Sequence, residues 1–145
     1  MPILIEGRKL LAACLLMLVG CGGPSACVAT GKVLVDGKPA EGVYLVFHTV
    51  GAPAGQPDSG TTRSDSDGSF SLVVSTPGEA VITAFWPMVT QKDGDTVEGA
   101  DQLGGFYRDA RRPASKATIR EGETTVDPIM LTRPKPGKTR DRDRR

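Results

Sequence analysis

Few side chains in this sequence are equipped for covalent or acid–base chemistry. There is one histidine, His48, and there are three cysteines, Cys14, Cys21 and Cys27. One imidazole leaves no partner for a two-histidine metal site, and no Gly-x-Ser-x-Gly elbow lies near it. His48 therefore reads as an exposed strand residue, not as a general base. Carboxylates cluster twice, in Asp65-Ser66-Asp67-Gly68 and among Asp93, Asp95, Glu98 and Asp101. Calcium takes about six to eight oxygens. Neither run carries the third acidic position and the closing glutamate of an EF-hand loop. A tight turn and a solvated loop account for them. No catalytic residue, no metal site and no cofactor is expected.

The thiol placed for chemistry is Cys21. Arg8 and Lys9 precede a ten-residue apolar run, Leu10 to Val19. A spanning helix needs about 20 such residues, so the run fits the core of a signal peptide instead. The following Leu18-Val19-Gly20-Cys21 resembles the lipobox of bacterial lipoproteins. That resemblance implies a signal peptide over 1–20 and cleavage before Cys21. It also implies a diacylglycerol thioether on the new N-terminus, with palmitate-type chains holding the protein to a membrane. Two or three chains anchor stably where one does not, at about 0.8 kcal/mol per buried CH2. Gly22, in place of Asp, points by the sorting rule of enteric bacteria to the outer membrane, facing the periplasm or the cell surface. Cleavage removes Cys14 and acylation consumes Cys21, so Cys27 remains as a small apolar strand residue with no disulfide partner.

Charge is uneven along the chain. Residues 21–132 carry a net charge of −5, and residues 133–145 carry +5. The basic tail has no apolar residue except prolines and should be disordered. It could touch anionic headgroups, cell-wall polymers or an acidic partner, or serve only solubility. Nucleic acid is not an expected partner, because the remainder is acidic and no aromatic accompanies the basic residues.

The elements that must position these groups read as strands. After a tether over 21–27, Val28–Val35 reads as a strand ending in the turn Asp36-Gly37-Lys38-Pro39. Val43, Leu45 and Phe47 alternate with Tyr44, Val46 and His48. Thr61–Ser64 is a short strand, and Asp67-Gly68 closes a hairpin into Phe70, Leu72 and Val74. Ala80–Trp86 is a strand with Ala80, Ile82, Ala84 and Trp86 inward and Phe85 outward, ended by Pro87. Residues 88–105 show no usable period and read as a long loop. Ala117–Arg120 and Thr124–Leu131 close the domain. No 3.6-residue apolar period follows the signal segment, so the class is all-β.

The stretch from Thr30 to Phe47, with its Asp36-Gly37-Lys38-Pro39 turn, resembles the opening of carboxypeptidase regulatory-like domains. Asp65-Ser66-Asp67-Gly68-Ser69-Phe70, Pro77-Gly78-Glu79 through Trp86-Pro87, and Asp101 through Phe106-Tyr107 follow in the same order. With a lipobox in front, the whole is similar to short lipoproteins of the planctomycete type. The resemblance covers residues 28–132. It implies a transthyretin-like (prealbumin-like) Greek-key β-sandwich of about seven strands. A hydrolase of hydroxyisourate shares that fold, but its Tyr-Arg-Gly-Ser ending is missing here: Tyr107-Arg108 is internal and followed by Asp109. The expectation is a non-catalytic envelope module making protein or glycan contacts. A small envelope hydrolase or a calcium-dependent binding module on the same scaffold is the alternative. Phe106 and Tyr107 are the expected exposed pair. Phe85 is expected either to be half-covered by the 88–105 loop or to belong to an interface.

Overall fold

The computed structural model describes residues 23, 25–51 and 59–135. The expected signal peptide, Cys21 and residues 136–145 lie outside them. The chain enters as β1 (Cys27–Val35) and turns at Asp36–Gly37 into β2 (Lys38–Pro39). Both turn residues have positive φ, 52° and 80°, as a type I′ turn requires. β3 (Tyr44–Thr49), β4 (Ser59–Arg63), β5 (Ser69–Val74) and β6 (Gly78–Phe85) follow. β7 (Pro87–Lys92) and β8 (Asp95–Asp101) come next. β9 (Ser115–Ile119), β10 (Gly122–Thr125) and β11 (Ile129–Leu131) complete the fold.

Two sheets form a β-sandwich, the class expected from the sequence. One is antiparallel in the order β4-β3-β6-β9. In the other, β1 pairs antiparallel with β5 and β2, and parallel with β10 and β11. Their facing sides meet in a core of Cys27, Ala29, Val33 and Val35 against Leu45, Phe47, Ile82 and Ile119. The alternation that predicted Val43, Leu45 and Phe47 inward is realised, with all three fully buried. Each such side chain contributes about 1.5–3 kcal/mol by leaving water. Cys27 begins β1 and is buried, a small apolar residue as expected.

Because β11 runs parallel to β1, the chain enters and leaves at opposite poles. Val35 pairs with Leu131 at the exit pole, whereas Cys27 pairs with Gly122 at the entry pole. At about 3.3 Å per residue, the nine residues of β1 separate the poles by roughly 26 Å.

Four features differ from the sequence reading. The 88–105 segment is not a loop: β7 and β8 pair as a hairpin around Asp93–Gly94, both at positive φ. Pro87 therefore begins a strand instead of only ending one. The hairpin is solvated on both faces, so it needs no apolar alternation and showed none. Second, Asp67–Gly68 joins strands of different sheets and is a corner, not a hairpin. Val33 N donates to Gly68 O at 2.8 Å, and a Cβ at Gly68 (φ +77°) would lie 2.5 Å from Val33 O. Only glycine fits there. Third, the strand expected over 124–131 is split into β10 and β11 around Val126-Asp127-Pro128. Pro128 has no N–H to offer a ladder. Fourth, Trp86 is only half-buried, at the edge of the core.

Candidate functional site

The outer face of the antiparallel sheet carries one row of large side chains. In register, Arg63 of β4 pairs with Tyr44 of β3, and Tyr44 pairs with Phe85 of β6. Cross-strand neighbours lie about 5 Å apart, close enough for their side chains to interact. The Tyr44 and Phe85 rings stack at 4.7 Å, tilted by only 6°. Arg63 covers the far side of Tyr44 at 5.1 Å, and Arg108 covers the far side of Phe85 at 4.8 Å. The result is a four-tier stack, Arg63–Tyr44–Phe85–Arg108. Each cation–π contact at such a site is worth about 0.5–1 kcal/mol. Gly42 (φ +80°) leaves room for it, since a Cβ there would sit 3.1 Å from the Arg63 Nη2.

The hairpin leans on this stack at one point. Tyr44 Oη donates to Glu98 Oε1 of β8 at 2.8 Å. That bond to a carboxylate pushes the Tyr44 phenol above its ordinary pKa, with desolvation adding to it. A cleft of about 390 Å3 lies between hairpin and sheet, lined by Glu41, Arg63, Trp86, Val89 and Gln102.

Asp101 holds the base of the hairpin. Its Oδ1 accepts from the backbone N–H groups of Trp86 (2.9 Å) and Leu103 (3.0 Å). Its Oδ2 accepts from Gly105 N and from Arg108 Nε, each at 3.1 Å. Burial alone would raise its pKa. The bonds from Trp86, Leu103, Arg108 and Gly105 outweigh that and hold the carboxyl below its ordinary value. The same loop buries Leu103 and aims Tyr107 inward. The Tyr107 hydroxyl accepts from Thr132 N at 3.1 Å, and its carbonyl accepts from Ala84 N at 2.9 Å.

The expected exposed pair is therefore split. Phe106 is 62% exposed, whereas Tyr107 is half-buried and spent on structure. Phe85, expected to be half-covered by the 88–105 segment or to belong to an interface, is half-buried, with Tyr44 stacked on its ring and Arg108 over it. Along the hairpin every residue from Met88 to Ala100 is exposed, including the apolar Met88, Val89 and Val97. Trp86, beside it, donates from Nε1 to Glu41 O at 3.0 Å and carries Arg133 at 6.0 Å from its ring. Arg133, expected in a disordered tail, is instead fixed: its Nε bonds Asp36 Oδ2 at 2.7 Å and its N bonds Asp36 Oδ1 at 3.2 Å. These bonds to Arg133 hold the Asp36 carboxyl below its usual range.

The remaining sequence candidates lie elsewhere. His48 Nε2 bonds Thr83 Oγ1 at 3.0 Å. Asp67 accepts from the N–H and hydroxyl of Ser69, shaping its own turn. Among the described residues no three His, Cys, Asp or Glu side chains converge as a metal would need. A cleft of about 570 Å3 lies among β6, β9 and β10, lined by Val50, Glu79, Lys116, Thr124 and Asp127 with no aromatic residue. Sequence reading missed Arg63, Arg108 and Arg133. Isolated arginines carry no periodic signal, and only strand register brings them onto rings.

No family model matches this chain, and no curated protein matches it. Among solved structures it is similar to a DUF3823 family protein from Parabacteroides merdae. The identity is 17% and the TM-score 0.46, over 77% of this chain and 48% of that one. It is also similar to a candidate carbohydrate binding protein from Pseudomonas aeruginosa, at 15% identity and a TM-score of 0.43, over 75% and 89% of the two chains. BcpA, the major pilin subunit of Bacillus cereus, shares 14% identity at a TM-score of 0.44, over 77% and 31%. At these scores the likenesses carry no argument, and the sandwich rests on its own strand pairing.

Proposed function

We propose that this chain is a non-catalytic, lipid-anchored envelope protein of the carboxypeptidase regulatory-like kind. In this reading its sandwich acts as a spacer that offers the β7–β8 hairpin and Phe106 to a protein partner. The observation that carries it is the hairpin: two strands held out from the body with Met88, Val89 and Val97 in solvent. A two-stranded ribbon is marginal alone, so one that is kept and braced at its base suits a contact role. An acylated Cys21 would put the membrane near the entry pole. The hairpin base, at Trp86 beside Arg133 and Asp36, belongs to the exit pole and would face away from the bilayer.

A protein partner fits better than a glycan. Sugars stack on open aromatic faces, and both faces of Tyr44 and of Phe85 are already covered. Phe106 alone among the aromatic side chains is mostly open, which supports a minor glycan reading. His48 bonds the Thr83 hydroxyl, and among the described residues no carboxylate is hydrogen-bonded to it, as a triad histidine would need.

Two measurements test this. Cys21→Ser should abolish acyl labelling and release the protein from membranes; normal labelling would refute the anchor. A photo-crosslinking residue at position 97 or 106 should capture a defined protein in cells, while one at Val73, itself 66% exposed, should not. Equal capture at all three positions would refute the hairpin as the contact surface.

A further inference from the structure

The β7–β8 hairpin is a two-stranded sheet that pairs with no third strand among the described residues, and its residues from Met88 to Ala100 are exposed apart from the one side-chain bond of Glu98 to Tyr44. We propose that residues 136–145 of the same chain dock along it. This goes beyond the contact role above and does not depend on acylation; a partner taking the same strands would displace the tail.

Three observations choose that occupant. The first is where the described chain ends. Thr132 is bonded to Tyr107, Arg133 is clamped to Asp36 over Trp86, and Pro134 Cγ would lie 3.0 Å from a Cβ on Gly104. Trp86 immediately precedes β7 and Gly104 follows β8 by three residues, so the chain reaches Lys135 from beside the hairpin base. The second is length. Ten residues reach about 33 Å when extended, and the seven residues of β8 span about 23 Å.

The third is charge. Residues 87–101 carry Asp93, Asp95, Glu98 and Asp101 against Lys92, a net of −3. Residues 136–145 carry Lys138, Arg140, Arg142, Arg144 and Arg145 against Asp141 and Asp143, a net of +3. The ion pairs among the described residues are Arg108–Asp101 and Arg133–Asp36, so Asp93 and Asp95 have no cationic partner there. Arginine stems lying over Val89 and Val97 would also cover exposed apolar surface.

The test is hydrogen exchange of residues 88–100 in the full chain, in a chain lacking 136–145, and in Arg140→Gln/Arg142→Gln/Arg144→Gln. At low salt the full chain should exchange there about threefold more slowly than either variant, because the tail holds the hairpin closed. The difference should vanish near 0.5 M salt, where the Debye length is about 4 Å. Asp93→Asn/Asp95→Asn should remove it as well, and asparagine tolerates the positive φ of 54° at position 93. Carbodiimide should link Lys138 to a hairpin carboxylate within one chain. Equal exchange in the full and shortened chains at low salt overturns the proposal. Protection that grows with protein concentration also overturns it, by placing the tail on a second copy.

Discussion

β6 and the β7–β8 hairpin are adjacent in sequence and alike in backbone, yet different forces hold them. In β6, Ala80, Ile82, Thr83 and Ala84 are buried between neighbouring strands. In the hairpin nothing from Met88 to Ala100 is buried. The first is held by apolar area taken from water. The second is held by a type I′ turn at its tip, the Asp101 bonds at its base and one phenol–carboxylate bond at its side. A strand of the core survives loss of any single hydrogen bond. The hairpin depends on a few polar contacts and should open locally without unfolding the body.

The sharpest way to break this contrast is Phe47→Ala. Phe47 is fully buried and tilted against Phe70 at 6.0 Å. Its truncation should cost about 3–5 kcal/mol in urea unfolding, whereas Val97→Ser in the hairpin should change stability by less than about 0.5 kcal/mol. Similar losses for both would mean the hairpin is part of the core.

Asp101→Asn comes next. It removes the charge from a carboxylate that satisfies four donors, so about 1–3 kcal/mol should be lost at the hairpin base. Exchange should rise over 86–108 and stay unchanged in β1. The pH dependence follows from the lowered pKa. Stability from Asp101 is fully present above the unfolded carboxyl value of about 3.9 and is lost as pH falls through the lower folded value. The wild-type base should therefore loosen only below about pH 4, and Asp101→Asn should flatten that dependence. Loosening between pH 5 and 7 would show that another group governs the base.

The smallest effect expected is that of Tyr44→Phe. It keeps the stack with Phe85 and loses only the bond to Glu98, in an exposed setting. Unfolding should shift by less than about 1 kcal/mol, with faster exchange near residues 96–99. No change in that exchange would show that Glu98 does not steady the hairpin.

Much of this was legible in the residues. Alternation of Val43, Leu45 and Phe47, and of Ala80, Ile82 and Ala84, marked the buried faces because a strand turns successive side chains to opposite sides. Asp36-Gly37 marked its turn because few residue pairs accept two positive φ values. The hairpin at Asp93–Gly94 carried the same dipeptide, but its flanks are polar and charged, and no apolar period drew attention to it. Phe106 was found and Tyr107 misplaced for one reason: adjacent aromatics look alike until a loop, here organised by Asp101, turns one outward and one in.

What the chain determines by itself is local: where it turns, which face of each strand avoids water, and where charge accumulates. Each of these follows from a residue and its near neighbours. Which strands meet, and hence that Arg63, Tyr44, Phe85 and Arg108 form one stack or that Asp36 catches Arg133, is decided only in three dimensions. Those partners are far apart along the chain, and register between distant strands is a property of the packed core as a whole.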